Sequence, residues 1–169
     1  IWQRIVDSMM AMPALVVLMV IAFVVGGGLF WVMIAIAFIT IPSSSRIFRA
    51  STMAIRGQDY IEAVRTLGAR DLRIMLMHIL PNLMPVVIVL CAIGLGTNVL
   101  LQSALSFLGL TSSQSVDWGS MLNSGARQYM QTQPFLALAP GIAICLTVLA
   151  YNLLGDAVRD LLDPRLRGG

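Results

Sequence analysis

The chain has 169 residues, of which 58% are hydrophobic and only 11% charged, and its mean hydropathy is +0.87. A soluble domain carries about a quarter charged residues, so this composition excludes an ordinary soluble protein. Long continuous apolar runs, rather than short alternating segments, also exclude a membrane β-barrel. The sequence therefore predicts an all-α integral membrane protein that is embedded in a lipid bilayer and forms a single domain over residues 1–169.

Four apolar stretches approach the length of about 20 residues that a helix needs to cross a bilayer. We predict membrane spans over residues 9–25, 27–45, 80–101 and 134–154. Three consecutive glycines, Gly26 to Gly28, separate the first two spans and permit a tight reversal. Pro42 is expected to end or kink the second span, because proline removes a helical hydrogen bond.

The basic residues predict the orientation of these spans. All eleven are Arg, and the net charge is +3. If the polar loop after the second span lies inside, ten of the eleven Arg lie inside, and only Arg127 lies outside. Cytoplasmic loops are enriched in Lys and Arg, so both termini of this chain are predicted to be cytoplasmic, and nucleic-acid binding is not indicated.

The polar loop contains a short helix with recognisable ends. Asp59 and Glu62 have the spacing of a capping box, in which each side chain satisfies a free backbone N–H of the other. Gly68 stands where a left-handed glycine would close the helix. An apolar stripe at helical spacing lies between them: Ile61, Val64 and Leu67. This helix either docks into a groove on another protein or lies on the lipid headgroups, with its arginines paired to phosphate.

A second helical piece is predicted from residue 71 to residue 80, with Pro81 at its end. His78 is the only histidine of the chain, and the sequence offers it neither metal-binding companions nor a nucleophile with an orienting acid. We therefore expect a structural role for His78. Cys91 and Cys145 lie inside apolar runs, so no metal site, disulfide or cofactor is indicated.

The loop resembles the EAA loop of ABC importer permeases, the membrane subunits of binding-protein-dependent uptake systems. The matching residues are Glu62-Ala63, Gly68, His78 and Leu80-Pro81-Asn82. Stretches outside the loop resemble the peptide/nickel branch of these permeases, and its dipeptide/oligopeptide C-type subunit in particular. They are RIVDSMMAMP (residues 4–13), SALSFLGL (103–110), WGSML (118–122) and NLLGDAVRDLLDPRLRG (152–168).

The resemblance implies a non-catalytic subunit in the inner membrane that works with two ATP-binding subunits, a second permease subunit and an extracytoplasmic solute-binding protein. Residues 46–79 then form the coupling loop. The residues expected at the ATPase contact are Asp59, Glu62, Ala63, Arg65 and Gly68, with His78 and Pro81 structural. The family has six spans, of which four are visible, so we expect the first two to be missing from this sequence.

The substrate is left open among dipeptides, oligopeptides, glutathione, nickel and other small solutes. Asn98 and Gln102 are candidates for lining the transport pathway, because polar groups at membrane depth face protein or a cavity rather than lipid. The alternative to an ATP-driven importer is a secondary transporter or channel subunit, although such proteins place ionisable groups at depth, and none of the four runs contains one. An intramembrane hydrolase using Ser106 and His78 is disfavoured, because the topology puts them on opposite sides of the bilayer.

Overall fold

The protein is described here from a computed structural model that covers residues 2–26, 28–111 and 116–162. Helices joined by short turns account for the secondary structure of this part of the chain, which confirms the all-α prediction. The helices are α1 Trp2–Met10, α2 Ala14–Val25, α3 Leu29–Arg56, α4 Asp59–Thr66, α5 Asp71–Ile74, a π-helical turn Met75–Ile79, α6 Leu80–Phe107, α7 Trp118–Gln128 and α8 Phe135–Leu162.

Three helices in the described part of the chain are long and apolar enough to cross a membrane: Leu29–Arg56, Asp71–Phe107 and Phe135–Leu161. The predicted span over residues 9–25 is not one helix. It breaks before Pro13, and α2 has 12 residues, which correspond to about 18 Å against the roughly 30 Å of a hydrocarbon core. The number of crossings therefore stays a prediction.

Pro42 was expected to end or kink a helix and Pro81 to end one, and both lie within helical segments. α3 continues through Pro42 as far as Arg56, so the first part of the predicted loop 46–79 is helical. Hydroxyl groups beside Pro42 bond to main-chain carbonyls of α3, from Thr40 Oγ1 to Ala37 at 2.8 Å and from Ser43 Oγ to Thr40 at 3.0 Å. Neither bond reaches the Phe38 carbonyl, which is the one that loses its usual donor because Pro42 has no N–H.

The same correction applies to Pro81. The helix does not end there, because α5, the π turn and α6 follow one another without a break from Asp71 to Phe107. Pro81 is the second residue of α6, and because it has no N–H it removes one bond from this continuous helical segment. The polar loop is thus joined directly to the 37-residue helical segment Asp71–Phe107, the longest apolar helix in the described part of the chain.

The helices pack through small residues and one apolar cluster. Gly96 of α6 faces α8, where an added Cβ would lie 3.4 Å from the Tyr151 Cβ, and Gly155 of α8 faces Ile93 in return. Small residues at such a contact let two helices approach closely. A buried cluster joins α2, α3 and α6 through Leu18, Ala22, Val32, Ala35, Ile36 and Leu105.

Candidate functional site

Helix α4 begins differently from the predicted capping box. Gln58, with extended backbone, is the N-cap residue, and its side chain makes no capping bond. Asp59 is the first helical residue, so the predicted reciprocal bonds between Asp59 and Glu62 are not formed. Both carboxylates lie in the first turn and Arg65 lies in the last, an arrangement that favours the helix through its macrodipole.

The end of α4 matches the prediction. Gly68 has a φ of +85°, the left-handed conformation that glycine adopts without strain. The N–H of Ala69 bonds to the Val64 carbonyl at 3.3 Å, and the N–H of Gly68 bonds to the Arg65 carbonyl at 3.0 Å. These two bonds form a Schellman motif, which stops the helix and turns the chain toward α5.

One face of α4 is fixed to the rest of the chain. Ile61 is 2% exposed and packs with Ile74 and Ile79, and Ile55 and Val64 lie around this cluster. The apolar stripe therefore faces the protein's own helices rather than a groove on another molecule. Because α3, α5 and the π turn all contribute to the cluster, a displacement of α4 is opposed by all three.

Leu67 does not belong to this inward stripe, contrary to the prediction. It is the C-cap residue of α4, and its side chain is 87% exposed. Glu62, Ala63 and Gly68 are exposed as well, so α4 presents an outer surface with an acidic group, a small residue and a large apolar side chain. We call the surface formed by Glu62, Ala63, Leu67 and Gly68 the outer face of α4.

Arg65, the remaining predicted contact residue, is engaged within the chain. Its Nη2 lies 3.2 Å from Asp71 Oδ1, and both side chains are largely exposed to solvent. Exposed ion pairs contribute little stability, typically below about 1 kcal/mol. The pair spans the turn at Gly68, so it links the end of α4 to the start of α5.

His78 lies in the π turn and is half-buried, and within the described part of the chain no Asp or Glu side chain bonds to it. Its carbonyl accepts a bond from Asn82 Nδ2 at 2.7 Å, and the same nitrogen donates to Tyr60 Oη at 3.1 Å. Sequence reasoning missed this contact between α4 and α6. The sequence feature that could have indicated it is Asn82, a polar residue at the start of an apolar span.

Asn98 and Gln102 lie one turn apart on α6. Their side-chain oxygens, Oδ1 and Oε1, are shielded from solvent and have no hydrogen-bond partner among the described residues. A buried acceptor without a donor costs roughly 1–3 kcal/mol. A hydrogen-bond donor brought to either oxygen would therefore be stabilising.

The far end of α6 is locked to α7 by a polar cluster that the sequence reading left unassigned. The residue Ser106 is 2% exposed. Its Oγ donates to Asp117 Oδ2 at 2.7 Å and lies 2.9 Å from Thr111 Oγ1. Asp117 also caps α7 by accepting from the Ser120 N–H at 3.0 Å. Ser106 is thus held in a structural network, and 28 residues of nearly continuous helix, about 42 Å, separate it from His78.

The fold and these motifs define a helical membrane protein of the transport class. The chain belongs to the family described as binding-protein-dependent transport system inner membrane component, whose model matches residues 1–168. This membership confirms the resemblance found in the sequence. Because the family is a transport component and the relatives below are permeases, the prediction of a non-enzymatic subunit is confirmed as well.

Two relatives show the kind of protein to which the chain is similar. It is 41% identical over 167 residues to the glutathione transport system permease protein GsiD of Escherichia coli O1:K1 / APEC. It is equally similar to the protein of that name in Shigella flexneri serotype 5b (strain 8401). Each match covers 98% of this chain and 55% of the relative, so the chain spans about half the length of these relatives.

Proposed function

We propose that this chain is a membrane-spanning permease subunit of an ATP-driven importer for peptides or related small solutes. The observation that carries the proposal is the two-sided construction of α4. Its inner face is buried against the chain's own helices through Ile61, whereas its outer face exposes Glu62 and Leu67. An exposed large apolar side chain beside an acidic group suits a protein partner better than a purely lipid-facing surface.

The partner of the outer face is an ATP-binding subunit that closes on a second copy when ATP binds. Closure moves the docked α4, and the Ile61 cluster passes the displacement to α3, α5 and the π turn. The permease then switches between inward- and outward-facing forms by rigid-body motion. Ala63 and Gly68 are small, so they let the ATP-binding subunit approach α4 closely. Asp59 stabilises the first turn of the helix. Arg65 leaves its exposed ion pair with Asp71 and pairs with a group of the partner instead.

The remaining subunits follow from this role. The importer has two ATP-binding subunits, one for each of two permeases, and an extracytoplasmic binding protein that delivers the solute. The subunit lies in the inner membrane with residues 46–79 and both termini on the cytoplasmic side, as the arginine distribution favours. Asp7 of α1 pairs with Arg46 near the middle of α3, which is consistent with α1 lying on the same side as that loop.

We also propose that Asn98 and Gln102 line the solute pathway. Their oxygens lack donors within the described chain and are shielded from solvent in this conformation, so a peptide or glutathione, which carries amide and ammonium donors, would reach them only after the helices move. The relatives' printed name refers to glutathione, which makes glutathione the first solute to test and a dipeptide the second. Replacement of Gln102 by Leu should then weaken uptake without weakening assembly.

The proposal is tested with the complete transporter in lipid vesicles, with its own ATPase subunits and binding protein. Glu62→Arg reverses the charge on the outer face of α4 and should reduce uptake driven by ATP at least tenfold, while the permease still inserts into the membrane. Asp160→Arg is the matched control, because Asp160 is an exposed acid near the end of α8 outside the proposed contact.

Undiminished uptake by Glu62→Arg would contradict the docking role of α4. An equal loss in Asp160→Arg would assign the effect to general charge rather than to the outer face. Uptake that follows an ion gradient and ignores ATP would instead establish a secondary transporter.

A further inference from the structure

Asn82 bonds to two parts of the structure with one side-chain nitrogen. A carboxamide NH₂ group has two hydrogens to donate. In this structure Asn82 Nδ2 lies 2.7 Å from the His78 carbonyl oxygen and 3.1 Å from Tyr60 Oη. Tyr60 belongs to the first turn of α4 and Asn82 to the first turn of α6. The side chain of Asn82 therefore joins the short polar helix to the start of a membrane-length helix.

The helix is irregular at this point. In the π turn Met75–Ile79 the N–H of Leu80 bonds to the Met75 carbonyl, five residues back, and Pro81 has no N–H to donate. The Asn82 side chain supplies a donor to a carbonyl within this turn. Single π turns are found mostly at functional sites, and interruptions of the regular bonding are where helices bend.

We propose that Asn82 and Tyr60 are positioning residues which transfer the displacement of α4 to α6 across the π turn. This inference rests on the proposed function, in which α4 is the element that an ATPase moves. The bond is exposed but directional, so it constrains the orientation of Tyr60 Oη relative to Asn82 as well as their distance, whereas apolar packing constrains the distance alone.

Two other contacts of α4 differ from this link. The Arg65–Asp71 pair joins α4 to α5, on the near side of the π turn. The Ile61 cluster reaches Ile79, the last residue of the π turn, but it is apolar and non-directional. The Tyr60–Asn82 bond extends past the π turn to the first turn of α6.

The link is tested by amide hydrogen exchange on the assembled transporter in lipid nanodiscs, with and without ATP plus vanadate as the only added ligands. Tyr60→Phe removes only the hydroxyl and keeps the ring, so the Asn82–His78 bond remains. Asn82→Leu removes both bonds, and Tyr129→Phe removes a hydroxyl of the same type beyond the other end of α6. Co-purification with the ATPase is measured for each variant.

In the unaltered protein, ATP plus vanadate should slow exchange in residues 59–66 and change it in residues 80–90. In Tyr60→Phe and in Asn82→Leu the effect on 59–66 and the co-purification should persist. The change in 80–90 should fall about two- to tenfold, as expected for loss of one neutral hydrogen bond. The double variant should be no worse than Asn82→Leu, because both substitutions break one link.

An unchanged response of residues 80–90 in Tyr60→Phe would overturn the inference. Loss of ATPase binding in Tyr60→Phe would overturn it too, by showing that Tyr60 acts in docking or folding. A response lost equally in Tyr129→Phe would count against a specific link. If the unaltered permease neither binds the ATPase nor responds in residues 59–66, the proposed function itself fails, and this result is distinct from the other three.

Discussion

Gly119 is the residue at which a single added methyl group should be most damaging to the packing of α7 on α6. A Cβ at this position would lie 2.3 Å from the Ser103 carbonyl oxygen and 2.8 Å from the Ser106 Cβ. The Ser103 oxygen belongs to the backbone of a 28-residue helix and has little freedom to move. In Gly119→Ala, α7 must therefore move away from α6 by roughly 1 Å to restore ordinary van der Waals contact.

The cost has two parts. Overpacking a well-filled interface costs about 1–3 kcal/mol. The shift also disturbs the neighbouring bond from Ser106 to Asp117, which is worth about 1 kcal/mol. Together we expect Gly119→Ala to lower the free energy of unfolding by about 2–4 kcal/mol. Gly94→Ala is the matched control, because nothing lies within 4 Å of its added Cβ and alanine favours a helix by up to about 1 kcal/mol.

The measurement is a titration with sodium dodecyl sulfate in mixed lipid–detergent micelles, followed by tryptophan fluorescence. Trp118 precedes Gly119 in α7 and reports on the separation of the two helices. The reasoning would be refuted if Gly119→Ala and Gly94→Ala had the same unfolding midpoint. It would also be refuted if Gly119→Ala were destabilised while the Trp118 signal in the folded state stayed unchanged.

The other predictions concern the contact between Ser106 and Asp117 at the end of α6 and the exposed C-terminal end of α4. Ser106→Ala leaves a carboxylate oxygen of the half-buried Asp117 short of a donor and should cost about 1–3 kcal/mol in the same titration; no change would contradict the structural role of Ser106. Leu67→Asp should weaken binding of the ATPase about tenfold, because burying a leucine contributes about 1.5–3 kcal/mol, and should leave the folding titration unaltered because the side chain is exposed. Gly68→Val forces a β-branched residue to a φ of +85° and should speed amide exchange in α4; unchanged exchange would show that the turn relaxes.

The end of α4 was predictable from sequence and its beginning was not, for physical reasons. A helix that ends with a residue in the left-handed conformation needs one with little steric penalty there, so a glycine after an amphipathic stretch, such as Gly68, indicates the end of the helix. The spacing of Asp59 and Glu62 does not reveal whether Asp59 is the N-cap or the first helical residue. That choice depends on the backbone entering the helix, and here Gln58 takes the extended conformation. The capping box of the described chain lies at Asp117.

The helix end predicted at Pro81 was wrong, and of the two alternatives predicted for Pro42, an end or a kink, the structure excludes the end. In water, a helix that meets a proline can end, because solvent satisfies the freed backbone groups. In hydrocarbon the chain has no such alternative, and helices continue with local adjustments. The chain continues as a helix through Pro42, and the π turn before Pro81 is a local change in the bonding pattern of the helix. A π turn forms when a backbone N–H bonds to the carbonyl five residues back instead of four. The periodicity of apolar residues does not predict where this happens.

The long helix α6 connects the two polar clusters in a way that neither cluster explains alone. Asn82 fixes its first turn to α4, and Ser106 fixes its last turn to the cap of α7. About 36 Å of helix lies between them, and in its middle Gly96 brings the backbone against α8. A helix held by directional bonds at both ends and by close backbone packing between them resists bending more than it resists moving as a whole. If α4 is displaced by a partner, the displacement should therefore reach α7 as a rigid movement of α6 with α8, while the π turn before Asn82 supplies the place where the chain yields.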